Sequence, residues 1–151
     1  MVPKPFQVRK VTWKKINGQW QELVRASYHK VYDGIGAMYS RVSDLESKII
    51  AMEHYPEYGI HVWGAFGKRK LIGLIMGTLD HSVYVIWDLF VHPEFHRCGI
   101  GRALLKTAIR DSRCRTVQAE IREGNVPSQQ LFLSLGFDAK YSATLYESEL
   151  V

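Results

Sequence analysis

An apolar run that passes through a proline turn into a pair of glycines is the feature that most constrains this chain of 151 residues. The run is residues 83–91, the glycines are Gly99 and Gly101, and residues 103–109 have the composition of a helix. Glycine lets backbone N–H groups approach a ligand closely, and the first N–H groups of a helix lack partners within the helix. The segment therefore predicts a strand, a loop and a helix that together bind an anion.

The spacing of the glycines excludes two common phosphate-binding loops. A dinucleotide-binding fingerprint needs a third glycine at Leu104, and a P-loop needs Gly-Lys followed by Ser or Thr, which is absent from this sequence. The segment instead resembles the pyrophosphate loop of the GNAT superfamily of N-acetyltransferases, with the pattern Gln/Arg-x-x-Gly-x-Gly/Ala. Gly99 and Gly101 match its two small positions, Val91 ends the strand, and His96 stands where Gln or Arg is usual.

A second motif follows in the order that this family has. Residues 125–137 resemble its closing helix, Asn-x-x-Ala-x-x-Leu-Tyr-x-x-x-Gly-Phe, and the close match covers residues 84–137. The resemblance implies a single α/β domain over residues 1–151. Its sheet should be mixed, mostly antiparallel and flanked by helices, and should splay between the fourth and fifth strands, where acetyl-CoA enters.

Periodicity and turn residues predict the elements. Strands are expected over residues 6–13, 61–66, 71–79, 83–91, 116–121 and 138–146, and helices over residues 19–32, from Ser43 to before Pro56, after Gly101, and from Ser128. Ser43 and Glu46 have the spacing of a capping box, and Gly34 and Gly36 are expected to break the preceding helix. Lys68, Arg69 and Lys70 are expected to form a solvated hairpin turn.

Composition narrows the protein class. No apolar run approaches the length of a membrane span, and the first ten residues lack the apolar core of a signal peptide, so a cytoplasmic protein is expected. Cys98 and Cys114 are expected to be free thiols. No metal site is expected, because Pro93 disfavours a helix that would align His92 with His96.

The net charge is +5, but the lysines and arginines are scattered, so nucleic-acid binding is permitted and not favoured. Arg97, Arg102 and Lys106 are candidates to contact the phosphates of a ligand at the loop.

The resemblance implies a set of residues that contact acetyl-CoA, the co-substrate. Backbone groups of the fourth strand would pair with the pantetheine arm and polarise the thioester, and loop N–H groups would bind the pyrophosphate. The set is Leu89, Phe90, Val91, His96, Arg97, Cys98, Gly99, Ile100, Gly101, Arg102, Asn125, Ser128 and Phe132.

Two carboxylates and two tyrosines are candidates for the chemistry. Asp88 is the polar residue in an apolar strand, so it should face a cleft, a water chain or a cation. It either serves the acceptor, as an anchor for the amine or as a base through water, or makes a structural hydrogen bond. Glu120 is a second candidate, although a solvated strand face explains it equally well. Phe132 replaces the tyrosine that commonly protonates the leaving thiolate in the family. Tyr141 or Tyr146 could replace it, or the thiolate could leave unassisted, because a simple thiol has a pKa of about 8.5.

The resulting hypothesis is acetyl transfer from acetyl-CoA to a primary amine by direct attack. The acceptor is left open between a small amine, a peptide N-terminus and a lysine, and a homodimer is an open alternative to a monomer. A non-catalytic module that binds acyl-CoA is the rival interpretation, because Phe132 has no proton to donate.

Overall fold

The computed structural model describes residues 6–27, 34–53, 59–121 and 126–140. The chain divides into two compact units, residues 1–120 and 121–151. The first unit holds β1 (Gln7–Val11), α1 (Gln19–Ser27), α2 (Gly34–Glu53), β2 (Ile60–Gly67), β3 (Lys70–Asp80), β4 (Val83–Val91), a 3₁₀ turn (Pro93–Phe95), α3 (Ile100–Ser112) and β5 (Thr116–Ala119), and the second holds α4 (Val126–Ser134). No helix within these described ranges is both long enough and apolar enough to cross a membrane.

The five strands form one sheet in the order β1-β2-β3-β4-β5. The first four strands pair antiparallel, and β5 pairs parallel to β4. Two neighbouring parallel strands need a crossover between them, and α3 provides it. The predicted mixed, mostly antiparallel sheet flanked by helices is therefore confirmed.

Side chains are buried on both faces of the sheet. Helices α1 and α2 cover one face, where the core includes Trp20, Leu23, Val24, Leu45, Ile49, Val62, Phe66, Leu74 and Met76. Helix α3 covers the other face. A Cβ atom at Gly73 would lie 2.9 Å from side-chain atoms of both Ile100 and Leu104, so this glycine allows the start of α3 to approach the sheet. At its other end, the indole N–H of Trp63 donates a hydrogen bond of 3.0 Å to the Asp111 carboxylate.

Strand β4 contains an extra residue at Trp87. Met76 of β3 pairs with Asp88, whereas the next residue, Gly77, pairs with Ile86. This β-bulge interrupts the alternation of side chains along β4. Because cross-strand partners lie on the same face, Asp88 shares the face of Met76, which α1 and α2 cover.

The predicted boundaries of the second helix were wrong. Helix α2 begins at Gly34 and runs through Gly36, instead of beginning at Ser43. Val42 lies before the capping box and is buried in the core together with Leu45, so tertiary packing extends the helix beyond the box. Burial of apolar residues such as Val42 and Leu45 outweighs the loss of about 1 kcal/mol of helix stability that a glycine within a helix causes.

Other boundaries shift by a few residues. Strand β5 ends at Ala119 instead of at residue 121, and α4 begins at Val126 instead of at Ser128. Helix α1 ends at Ser27, and residues 28–32 of its predicted extension lie outside the described residues. Of the predicted last strand, residues 138–140 have no regular structure and residues 141–146 lie outside the described part.

Candidate active site

Among the described residues, a gap opens beside the second half of β4. The parallel ladder pairs residues 83–86 of β4 with residues 116–119 of β5 and ends at Ile86 and Ala119. Strand β4 continues for five more residues, from Trp87 to Val91, with no β5 residue opposite. This opening lies where the splay between the fourth and fifth strands was predicted.

Backbone groups of β4 face this gap. The N–H of His92 donates a hydrogen bond of 2.8 Å to the carbonyl of Ile72 in β3. Because successive residues of a strand direct their N–H and C=O groups to opposite sides, those of Val91 and Leu89 point away from β3. The Leu89 N–H and C=O groups therefore lie on the open side and can pair with the amides of a linear ligand.

The loop after β4 is hydrogen-bonded to the end of the strand. The Val91 carbonyl accepts a hydrogen bond of 3.0 Å from Nε2 of His96 and one of 3.5 Å from the Ser27 hydroxyl. The His96 imidazole therefore fastens the loop, although its side chain is exposed. No feature of the sequence predicted that Ser27 would donate a hydrogen bond here.

The loop reaches α3 through left-handed backbone. Arg97 has a φ of 62°, and Gly99, the N-cap residue of α3, has a φ of 82°. The Cys98 thiol donates to the His96 carbonyl at 3.3 Å, and the Gly99 carbonyl accepts from the Ala103 N–H at 3.0 Å. A Cβ atom at Gly99 would meet no atom within 4 Å, so open space lies next to this backbone.

The start of α3 fits an anionic group. The first N–H groups of a helix lie at the positive end of its dipole and have no acceptor within the helix. Ile100 is 1% exposed, so it can contact a ligand only through its backbone, whereas Arg97 and Arg102 are exposed. Together with the open space at Gly99, this arrangement fits the pyrophosphate of a coenzyme.

The two candidate carboxylates lie just beyond the last residues that pair β4 with β5, Ile86 and Ala119. Asp88 is half-buried and follows the bulge, and Glu120 is exposed and directly follows β5. The structure thus brings both residues to the point where the ladder ends.

The second unit carries other predicted site residues. On α4, Ser128 is half-buried and Phe132 is buried. The ring of Phe132 makes an edge contact with Phe137 at a centroid distance of 4.9 Å. Asn125, Tyr141 and Tyr146 lie outside the described residues.

The two cysteines and the histidines of the loop make hydrogen bonds within the fold. Cys98 and Cys114 are free and half-buried. Nδ1 of His92 accepts a hydrogen bond of 3.2 Å from the Glu94 N–H. In the part of the chain that the structure describes, no three His, Cys, Asp or Glu residues form a group that could hold a metal ion.

Comparison with known proteins identifies the family to which this arrangement belongs. A model of the acetyltransferase (GNAT) family matches residues 20–137. The UPF0157 protein YqkA of Bacillus subtilis is 31% identical over 107 residues, which cover 70% of this chain and 28% of YqkA. The ribosomal protein bS18 alanine N-acetyltransferase of Escherichia coli K12 is 32% identical over 75 residues, which cover 48% of this chain and 49% of that enzyme. The matched part of the chain thus spans less than half the length of each of these two relatives.

Among solved structures, the PaiA N-acetyltransferase of Thermoplasma acidophilum in complex with coenzyme A superimposes with a TM-score of 0.75. The match covers 91% of this chain and 92% of that one at 20% sequence identity, and it shows that the fold is shared. Because the family model matches most of its length, this chain belongs to the acetyltransferase (GNAT) family, whose co-substrate is acetyl-CoA.

Proposed function

We propose that this chain transfers the acetyl group of acetyl-CoA to a primary amine by direct attack. The observation that carries the proposal is the continuity of the site. The open edge of β4 leads through the loop directly into the start of α3, so one stretch of backbone can hold both ends of an extended ligand. The acceptor is a small amine, a peptide N-terminus or a lysine.

In this proposal the co-substrate is held largely by main-chain groups. Residues 97–102 bind the pyrophosphate through N–H groups and the helix terminus, and Arg97 and Arg102 supply positive charge. The Leu89 N–H and C=O groups pair with the amide arm in the gap. Acetyl-CoA supplies an activated acyl group as a thioester, and a backbone N–H at the gap stabilises the charge that develops on its oxygen.

The amine must be neutral when it attacks. A half-buried carboxylate at the end of the ladder suits this requirement, because it can position the ammonium form and accept its proton directly or through water. Asp88 has this place, and Glu120 is the second candidate. For the leaving thiolate, Phe132 has no proton to donate, so Tyr141 or Tyr146 provides the proton or the thiolate leaves unassisted.

Replacement of Asp88 by asparagine should impair use of the amine and spare acetyl-CoA. Loss of a charge-assisted contact of about 1.5–3 kcal/mol predicts a decrease of roughly 10-fold to 100-fold in kcat/KM for the amine. The KM for acetyl-CoA should change less than about twofold. Asp44→Asn, a change of the same kind on the exposed side of α2, is the control. Equal rates for Asp88→Asn and the control over several pH values would assign Asp88 a structural role.

A panel of amines with acetyl-CoA tests the function itself. The panel contains polyamines, aminoglycosides, peptides with free N-termini and peptides with lysine, and the readouts are free thiol and the mass of the acetylated product. Amine-dependent release of thiol together with a product 42 Da heavier, about the mass of an added acetyl group with loss of one hydrogen, supports acetyl transfer. Saturable binding of acetyl-CoA with no product from any amine would favour the rival, a non-catalytic module that binds acyl-CoA.

A further inference from the structure

A groove of about 700 Å³ lies outside the proposed acetyl-transfer site, at the end of the sheet where β2 turns into β3. We call it the basic groove. Its lining consists of residues from the start of β1 and from the β2–β3 hairpin, namely Phe6, Gln7, Arg9, Phe66, Lys68 and Arg69. None of them belongs to the stretch that is proposed to hold acetyl-CoA.

The basic groove carries positive charge that no carboxylate among the described residues neutralises. Its charged residues are all cations, namely Arg9, Lys68 and Arg69. Among the residues that the structure describes, no carboxylate forms an ion pair with any of the three. The Arg9 guanidinium lies over the ring of Phe66, 4.1 Å from its centroid. The guanidinium is therefore held in place, and its charge remains available to an anion.

The hairpin turn holds its two cationic residues in a backbone conformation that is unfavourable for them. Lys68 and Arg69 form a two-residue turn in which both have left-handed backbone, with φ of 50° and 68°. Asn and Gly are the residues that such a turn prefers, and left-handed backbone costs an ordinary L-residue about 1–2 kcal/mol. Residues that a turn disfavours are an indication of a role outside the turn.

The neighbouring edge of the sheet can pair with an extended chain. Within the described residues, β1 pairs only with β2, so the other side of β1 presents N–H and C=O groups outward. A peptide added along this edge would direct every second side chain to the same face of the sheet.

We propose that the basic groove binds an extended acidic segment of a partner protein. Backbone groups of the segment pair with β1, its alternate carboxylates contact Arg9, Lys68 and Arg69, and an apolar side chain packs against Phe6. A nucleic acid is matched less well, because the three cations of the basic groove neutralise only a short run of phosphates. The inference does not depend on acetyl transfer.

Fluorescence anisotropy with the full chain tests the proposal. The probe is a labelled octapeptide with blocked ends that alternates Glu and Val, and the reference peptide has Gln in place of Glu. A labelled thymidine pentanucleotide, which carries the same charge as the probe, represents nucleic acid. We expect the Glu peptide to bind at least about tenfold more tightly than the Gln peptide and the pentanucleotide, and to weaken as salt is raised.

The variant Lys68→Asn with Arg69→Gly removes two charges and installs the residues that the turn prefers, so it should remain folded. It is expected to weaken binding of the Glu peptide at least about tenfold. The control, Arg113→Gly with Arg115→Gln, removes two exposed charges at the opposite end of the sheet. It also places a glycine at a position with left-handed backbone, because Arg113 has a φ of 55°.

The proposal is supported if the Lys68→Asn, Arg69→Gly variant loses affinity for the Glu peptide and the Arg113→Gly, Arg115→Gln control keeps it. Equal losses of affinity in the two double variants would indicate that net charge alone attracts the peptide, and would overturn the proposal. Tighter binding of the pentanucleotide than of the Glu peptide, or no binding of the Glu peptide, would overturn it as well.

Discussion

Replacement of Gly99 by valine is expected to weaken binding of acetyl-CoA by roughly 100-fold to 1,000-fold, as measured by calorimetry. The residue has a φ of 82° and open space where its side chain would be, and a valine would fill the space from which a pyrophosphate reaches the loop. Two charge-assisted hydrogen bonds to loop N–H groups, each at the lower end of the range of about 1.5–3 kcal/mol, account for a loss of this size.

Gly18 offers a closely matched control. It has a φ of 87°, a Cβ atom there would also meet nothing within 4 Å, and it precedes α1 as Gly99 precedes α3. Its carbonyl accepts from the Glu22 N–H at 3.2 Å, as that of Gly99 does from Ala103. Both valine variants should therefore carry a similar backbone strain, about 1–2 kcal/mol, and only Gly99→Val should lose acetyl-CoA. Unchanged affinity in a folded Gly99→Val protein would remove the basis of the proposed site.

Replacement of Gly77 by alanine is expected to lower the free energy of unfolding by about 3 kcal/mol or more. A Cβ atom at Gly77 would overlap the carbonyl oxygen of Val85 and lie 3.0 Å from Cα of Ile86, next to the bulge in β4. These atoms belong to the backbone of the paired strand, so relief requires the strands to move apart. For a domain of this size, the melting temperature should fall by roughly 6–12 °C.

Gly64→Ala provides the comparison within the same sheet. A Cβ atom there would come within 2.9 Å of side-chain atoms of Leu71 and Phe66, which can shift without breaking the ladder. Its cost should be smaller, about 1 kcal/mol, and urea unfolding of the two variants measures the difference. Equal destabilisation by both substitutions would contradict the view that the bulge requires a glycine at position 77.

The loop and the helix after β4 show how far local sequence can predict a site. Gly99 was expected to allow close approach of the backbone, and it has the left-handed conformation that glycine adopts at little cost. Gly73 and Gly77 were missed, although a glycine inside a strand is a known sign of close backbone approach or of a bulge. The sequence does not say which neighbour comes close, because the neighbours, Leu104 and Val85, are brought there by α3 packing and by pairing of β3 with β4.

The sequence by itself determined the family, the strand–loop–helix that is proposed to bind an anion, and the alternation of strands and helices. These features depend on residues near one another in the chain, on turn chemistry and on the periodicity of apolar side chains. Only the tertiary structure decided that α2 extends back to Gly34, that Trp87 is the extra residue of a bulge and that His96 holds the loop to Val91. The basic groove likewise arises where β1 meets the β2–β3 hairpin. Pairing register and burial join residues far apart in sequence, and no local pattern encodes which partners meet.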